Sequence, residues 1–179
     1  MKHTPTKPYP RFRLFLASLG GLLAGASLPL SAAEVEINYE DPESYSDMGS
    51  WGDFDRNLFE SFKSEMEEKL NEVADEYLAD EAKLTIEFRD VDLAGEVEPW
   101  MRPSMSDVRI VKDIYPPRLK FHYKVTSADE ETVVEGVAQL TDLGFLWGAN
   151  PIRRDMETFY YERELIDDWA RRVLRNSEQ

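Results

Sequence analysis

The sequence has 179 residues, no cysteine, and a formal net charge of −15 from 21 Lys and Arg against 36 Asp and Glu. This length suits one domain, and a hydrophobic fraction of 42 % is enough for a packed core. The absence of cysteine excludes disulfides, thiolate nucleophiles, zinc–thiolate sites and iron–sulfur clusters. The acidic charge argues against nucleic-acid binding, because a phosphate backbone requires a basic surface.

The first 33 residues have the order of a secretory signal peptide. A basic start with four positive residues precedes an apolar run from Leu14 to Leu30, and the small triplet Ser31-Ala32-Ala33 follows. We expect cleavage after Ala33, which leaves residues 34–179 as a single domain. Cleavage removes four positive charges and no negative charge, so the net charge changes from −15 to −19. An uncleaved membrane anchor is the alternative, since the apolar run approaches the length that spans a bilayer.

Hydrophobic periodicity predicts the remaining elements, with a period of two for strands and three to four for helices. In chain order these are a strand over Val35–Glu40, a helix over about Asp53–Ala79, a strand over Leu84–Arg89, a short strand at Val108 and Ile110, a hairpin of Leu119–Thr126 and Thr132–Leu140, and a helix over about Asp155–Arg175. The order is β-α-β-β-β-α, with one polar face on every strand.

These elements predict an α+β fold, a two-layer sandwich in which a mixed sheet of about four strands carries two helices on one face. A right-handed crossover makes the first two long strands parallel. The residues expected in the core are Phe62, Met66, Phe88, Phe121, Ile166 and Trp169. Lys120, His122 and Lys124 are expected to be accessible on the open face of the sheet.

Three stretches carry a resemblance to a known family: Asp90 to Glu96, Val108 to Arg118, and Tyr161 to Trp169. They resemble small secreted bacterial proteins known as the family of domain of unknown function 3016. The segment Lys-Asp-Ile-Tyr-Pro-Pro-Arg is the most specific part, and the resemblance extends over the mature chain. It implies a Gram-negative periplasmic setting and brings no activity, cofactor or catalytic residue.

The acids after the second long strand give only a weak metal pattern. Asp90, Asp92 and Gly95 match positions one, three and six of a calcium loop, and Glu96 adds an oxygen ligand. Met101 stands at position twelve, where such a loop needs a bidentate Glu. We therefore expect solvated carboxylates at Asp90, Asp92 and Glu96, with no metal and no other cofactor.

His122 is the only histidine of the mature chain, and it lies on the polar face of a strand. A hydrolase that combines His122 with some of the many acidic residues is one alternative function. A Gly-x-Ser-x-Gly nucleophile motif is absent from the sequence. We expect no catalytic residue.

The stretch from Glu98 to Arg118 is long for a connection inside a compact domain, and it is rich in aromatic, Met, Arg and Pro residues. The partner-binding candidates are Trp100, Arg109, Asp113, Tyr115 and Arg118. In the alternative, Trp100 and Tyr115 plug the end of the sandwich while Arg102, Arg109 and Arg118 pair with local acids. A second apolar connection, Phe145-Leu146-Trp147, presents the same choice.

The leading interpretation is a non-enzymatic periplasmic binding or assembly module. Its partner would be an envelope protein or another periplasmic ligand, with no nucleic acid and no stable membrane anchor after cleavage. A hydrolase and a structural envelope protein remain the alternatives.

Overall fold

A computed structural model describes residues 32–50, 53–98 and 108–175. The expected signal peptide over residues 1–33 lies almost entirely outside these residues, and so does the candidate Trp100. None of the helices in the described ranges is long and apolar enough to cross a membrane.

A four-stranded sheet forms one layer of the protein. Its strands are β1 (Glu34–Tyr39), β4 (Lys83–Asp92), β7 (Arg118–Thr126) and β8 (Thr132–Thr141), and they lie side by side in that order. β1 and β4 are parallel, whereas the β4–β7 and β7–β8 pairs are antiparallel. The parallel pair arises because a helical crossover joins β1 to β4. The predicted mixed sheet is confirmed.

The crossover helix α1 (Arg56–Tyr77) starts at a well-defined N-cap. The Asp55 carboxylate accepts the backbone N–H groups of Asn57 and Leu58 at 2.9 and 3.1 Å. These bonds satisfy amides that have no partner within the helix. The helix therefore begins three residues after the expected start at Asp53, and it ends at Tyr77 rather than at about residue 79.

The single C-terminal helix expected over Asp155–Arg175 is divided into α2 (Pro151–Met156) and α3 (Tyr160–Val173). The division lies at Phe159, which has left-handed backbone angles of φ 52° and ψ 36°. Its ring packs edge-on against Phe62 with 5.5 Å between ring centroids. The helix is therefore interrupted at the residue whose ring contacts the core.

Among the described residues four ion pairs join α3 to α1, and the two shortest involve Arg163 and Lys69. The guanidinium of Arg163 lies 2.9 Å from Glu65, and the ammonium of Lys69 lies 2.7 Å from Asp167. Both cations are largely buried, so their carboxylate partners offset the cost of removing the charges from water. The two helices therefore form one layer over the sheet.

Short strands extend the domain at one end. β2 (Gly49–Ser50) pairs with β3 (Asp53–Phe54), and β5 (Glu96–Val97) pairs with β6 (Arg109–Ile110), both antiparallel. β6 corresponds to the short strand expected at Val108 and Ile110. Gly95 precedes β5 with φ 85°, and a Cβ atom there would lie 2.8 Å from the carbonyl oxygen of Ile110. Only glycine fits this close approach.

The core lies between the sheet and the α1–α3 layer. All six residues expected in it are buried, and Phe121 meets Trp169 edge-on with 5.1 Å between ring centroids. On the opposite, open face Lys120 is exposed. His122 and Lys124 are only partly exposed there, and His122 lies 3.2 Å from Glu135 on the neighbouring strand. The expected two-layer α+β sandwich is confirmed.

Candidate functional site

The large exposed hydrophobic residues of the described chain are confined to three segments. The nine large ones are Val108, Val111, Ile114, Val133, Val137, Leu143, Trp147, Ile152 and Met156. Two belong to β8, and the others belong to residues 108–114 and 143–156. Exposed apolar groups concentrated in this way mark interaction surfaces better than scattered ones do.

Residues 108–114 and 143–156 approach each other around a cavity of about 300 Å³. Its walls are mostly apolar, and they come from α1, from the end of β4 and from the segment around Phe159. The lining residues are Leu58, Leu93, Ala94, Arg109, Val111, Arg154, Glu157, Thr158, Phe159, Tyr160, Tyr161 and Glu162. We call this region the end cavity. Leu58 and Arg109 also line a neighbouring groove of about 500 Å³.

A small hydrophobic cluster supports one side of the end cavity. Tyr161 meets Phe145 and Tyr160 edge-on, with 4.8 and 5.2 Å between ring centroids. Ala94 completes this cluster, which is separate from the main core. The two aromatic residues of the second apolar connection, Phe145-Leu146-Trp147, lie in different environments. Phe145 is buried in this cluster, whereas Trp147 is 92 % exposed.

Glu162 is a charged residue type buried in the wall of the end cavity, with only 2 % of its surface exposed. Its Oε1 atom accepts the backbone N–H of Ala94 at 2.7 Å. Burial raises the pKa of the Glu162 carboxyl, whereas backbone hydrogen bonds from Ala94 and Glu162 and the charge of Arg109 act in the opposite direction. A buried carboxyl of raised pKa in a cavity wall is typical of a functional position.

Arg109, a predicted partner-binding residue, forms part of the same wall. Its guanidinium donates to Asp47 through both terminal nitrogens, with 2.8 Å between Nη2 and Oδ1. It also donates to the carbonyl oxygen of Gly95 at 2.8 Å. These bonds fix the position of Arg109. The arginine pairs with an acid, as the alternative supposes, but that acid is 62 positions away in the sequence rather than local.

Tyr115 meets Arg109 at Gly95, because the N–H of Gly95 donates to the carbonyl oxygen of Tyr115 at 3.0 Å. The hydroxyl of Tyr115 donates to Glu98 at 2.8 Å, and Nζ of Lys112 donates to the same carboxylate at 2.7 Å. Both hydrogen bonds lower the pKa of Glu98, and the bond from Lys112 has the larger effect. Tyr115 therefore helps to anchor the loop that carries the exposed Val111 and Ile114.

Asp113 and Arg118, two further predicted partner-binding residues, do not line the end cavity. Asp113 is exposed in the turn before Tyr115. Arg118 lies at the start of β7, where Nη1 is 2.8 Å from the Asp92 carboxylate. Trp100 is outside the described residues. Partner binding by these residues stays a prediction.

The three weak metal candidates have separate protein partners. Asp90 accepts the backbone N–H of Ser46 at 2.8 Å, Asp92 pairs with Arg118, and Glu96 accepts the N–H of Val97 at 3.0 Å. Within residues 32–50, 53–98 and 108–175, no three His, Cys, Asp or Glu side chains are grouped to hold a metal ion.

Sequence reasoning did not single out Glu162, although a signal was present. Glu162 precedes Ile166 by four residues and Trp169 by seven, so the helical period places all three on one face. An acid on the buried face of a helix is unusual. The cavity itself gave no such signal, because its walls come from parts of the chain that are far apart in sequence.

Comparison with known proteins identifies the family of the chain. Residues 33–172 match the family described as "Protein of unknown function (DUF3016)". The chain belongs to this family. The resemblance carried by the three sequence stretches is thereby confirmed, and the description of the family names no activity.

No curated protein matches the chain. Among solved structures it is similar to a minor lipoprotein from Acinetobacter baumannii, at 11 % sequence identity and a TM-score of 0.28. The match covers 84 % of this chain and 95 % of the lipoprotein. A likeness at this level does not extend to a shared fold or function.

Proposed function

We propose that this DUF3016 protein is a non-enzymatic binding module of the bacterial periplasm, and that it holds a partner protein at the end cavity. One observation carries the proposal. The end cavity contains a buried carboxyl in a mostly apolar wall, and the exposed Val111 forms part of that wall.

The size of the region favours a protein partner over a free small molecule. A volume of about 300 Å³ is at the lower end of small-molecule sites. Val111 lines the cavity and is 42 % exposed, so apolar surface continues from the cavity wall to the outside of the protein. A partner would insert one side chain and cover the surrounding residues, as the anchors of protein interfaces do.

The wall chemistry favours an aromatic anchor that carries a hydrogen-bond donor. Leu58, Leu93 and Phe159 provide apolar contact, and the Glu162 carboxyl provides an acceptor within that surface. Tyr and Trp combine a large apolar ring with one donor, and both are frequent anchors. The partner segment is therefore expected to present a Tyr or Trp.

Site-specific photo-crosslinking tests this proposal in the periplasm. Val111 at the cavity and Val133 on β8 are exposed to 42 % and 46 %, and benzoylphenylalanine would replace each in turn. We expect position 111 to give one crosslinked product of defined mass, and we expect position 133 not to give that product. The same product from both positions, or no product from position 111, would contradict the proposal.

A second pair of variants tests the cavity directly. Val111→Trp places a large ring at the cavity mouth, whereas Ile114→Trp changes an exposed residue of the same loop that does not line the cavity. We expect only Val111→Trp to abolish recovery of the crosslinked partner, with crosslinking from position 154, which also lines the cavity, as the readout. Equal recovery from both variants argues against insertion into the cavity.

The hydrolase alternative makes a different prediction. His122 lies on the open face of the sheet, whereas the end cavity lies on the face that α1 and α3 cover. Activity profiling of residues 34–179 is expected to detect no turnover. Turnover that disappears in His122→Ala would replace the binding proposal with an enzyme.

A further inference from the structure

The two edges of the main sheet differ in their charge. β1 has six residues, and its open-face side chains include Glu34 and Glu36. An antiparallel pairing of β1 with a second β1 about Glu36 places Glu36 opposite its own copy. A pairing about Ile37 places Glu34 opposite Glu40. Like charges directly opposite each other destabilise a strand pair, so β1 is protected against pairing with itself.

β8 has none of this protection. It has ten residues, and Glu135 is its only charged residue. In the part of the chain that the structure describes, β8 pairs with β7 alone, which leaves its other edge without a strand. Val137 on its open face is 57 % exposed. A long edge of this composition is a template for another strand.

We propose that β8 pairs antiparallel with β8 of a second copy, about a two-fold axis at Val137, so that two four-stranded sheets become one of eight strands. The charge pattern favours this occupant. Copies of residues 34–179 that each carry −19 repel one another, and the repulsion is weakest where the contact strand is nearly uncharged.

The sequence of β8 is complementary to itself in this register. On the open face Val137 meets Val137 of the partner, and Glu135 meets the uncharged Gln139. On the core face Val134 meets Leu140. The two Glu135 carboxylates are separated by roughly 14 Å along and across the strands. This separation exceeds the Debye length of about 8 Å at physiological ionic strength, so their repulsion is largely screened.

Cysteine crosslinking tests the register, and the natural absence of cysteine makes it specific. Opposed residues of antiparallel strands have Cα atoms about 4.5–5.5 Å apart, which suits a disulfide. We expect Val137→Cys to form a disulfide-linked dimer rapidly at micromolar concentration. Ile114→Cys, which is exposed to 65 % in another segment, is the control and is expected to react much more slowly. Equal rates would overturn the proposed register.

Charge variants test the same axis without covalent chemistry. Val137→Lys and Val137→Glu each place like charges opposite each other, and each is expected to weaken dimerisation by at least about tenfold, or about 1.4 kcal/mol. Mixing the two variants is expected to restore the dimer, because Lys then faces Glu. Melting curves of the separate variants check that the fold is intact.

Sedimentation of the unmodified residues 34–179 gives the deciding measurement. A dimer that dissociates on dilution supports the proposal. A monomer at every concentration up to about 0.5 mM would overturn it, since affinity weaker than that corresponds to little specific association. A dimer that Val137→Lys leaves unchanged would also overturn it, because another surface would then hold the two copies together.

Discussion

The main core and the small cluster at the end cavity are both aromatic, but they differ in how completely their side chains are packed. In the main core Phe62, Phe121 and Trp169 are essentially inaccessible and pack against one another or their neighbours. In the small cluster Tyr161 borders a cavity of about 300 Å³ that also contains the buried Glu162. The main core therefore supplies stability, whereas the end cavity retains unfilled space and an ionisable group.

Such an arrangement has a cost that the main core compensates. A cavity forgoes packing contacts, and a buried carboxyl is removed from water. A non-glycine residue in the left-handed region, such as Phe159, adds roughly 1 kcal/mol or more of strain. At the end cavity an open volume, a buried carboxyl and a left-handed residue occur together, which favours a site over a random packing defect.

Matched tryptophan variants would give the largest contrast. Trp169 is 2 % exposed within the main core, and Trp147 is 92 % exposed beside the small cluster. We expect Trp169→Ala to lower the free energy of unfolding by about 3–5 kcal/mol. Trp147→Ala should change it by less than about 0.5 kcal/mol. Chemical denaturation measures both, and similar losses in the two variants would contradict the contrast.

Truncation of Tyr161 sharpens the comparison between the two clusters. The ring packs against Phe145 and Tyr160, so its loss removes buried area, but it already adjoins an open cavity that water can enter. We expect Tyr161→Ala to cost about 2 kcal/mol, less than Trp169→Ala. The same denaturation measurement checks it. A loss equal to that of Trp169→Ala would mean that the small cluster is as essential as the core.

Glu162→Gln tests the electrostatic difference. Burial raises the pKa of Glu162 in the folded state above the ordinary value of 4.5. The folded protein then binds this proton more tightly than the unfolded chain, so the parent protein loses stability as pH rises from 4.5 through the raised pKa. The glutamine side chain of the variant does not titrate. We expect the variant to gain stability relative to the parent over that range, by less than the loss in Tyr161→Ala.

Urea denaturation between pH 4 and pH 8 measures this gain, with Glu131→Gln at an exposed position as the control. The difference in free energy of unfolding between variant and parent should be smallest at pH 4, increase with pH, and become constant at the upper end of the range. A difference that is largest at pH 4 would show that the carboxylate form of Glu162 is the one that the fold stabilises.

The main sheet and α1 could be predicted because each element has a single buried face. The alternation of Leu84, Ile86 and Phe88 and the helical spacing of Phe62 and Met66 express that burial directly. The division between α2 and α3 could not be predicted in this way, since it depends on the contact of Phe159 with Phe62, almost a hundred residues earlier.

The candidate site was predicted only in part for the same reason. Composition drew attention to the loop that contains Arg109 and Tyr115, and the structure places Arg109 in the wall of the end cavity. Its partner Asp47 is 62 positions away, and no local pattern reports such a pairing. Glu162 could have been found from the helical period alone, but its raised pKa requires the burial that only the assembled fold creates.

The smallest expected effect comes from glycine substitutions at two residues with positive φ, Phe159 and Glu130. Glu130 also has a positive φ, 61°, but it is exposed in the β7–β8 turn. Glycine adopts this conformation without steric cost, so we expect Glu130→Gly to raise the free energy of unfolding by up to about 1 kcal/mol. Phe159→Gly relieves the same strain but loses the ring contact with Phe62, and it is expected to destabilise the protein. Thermal melts of the two variants should therefore shift in opposite directions. A rise in both melting temperatures would mean that the Phe159 ring contributes little to stability. Contacts other than that ring would then fix the backbone conformation of Phe159.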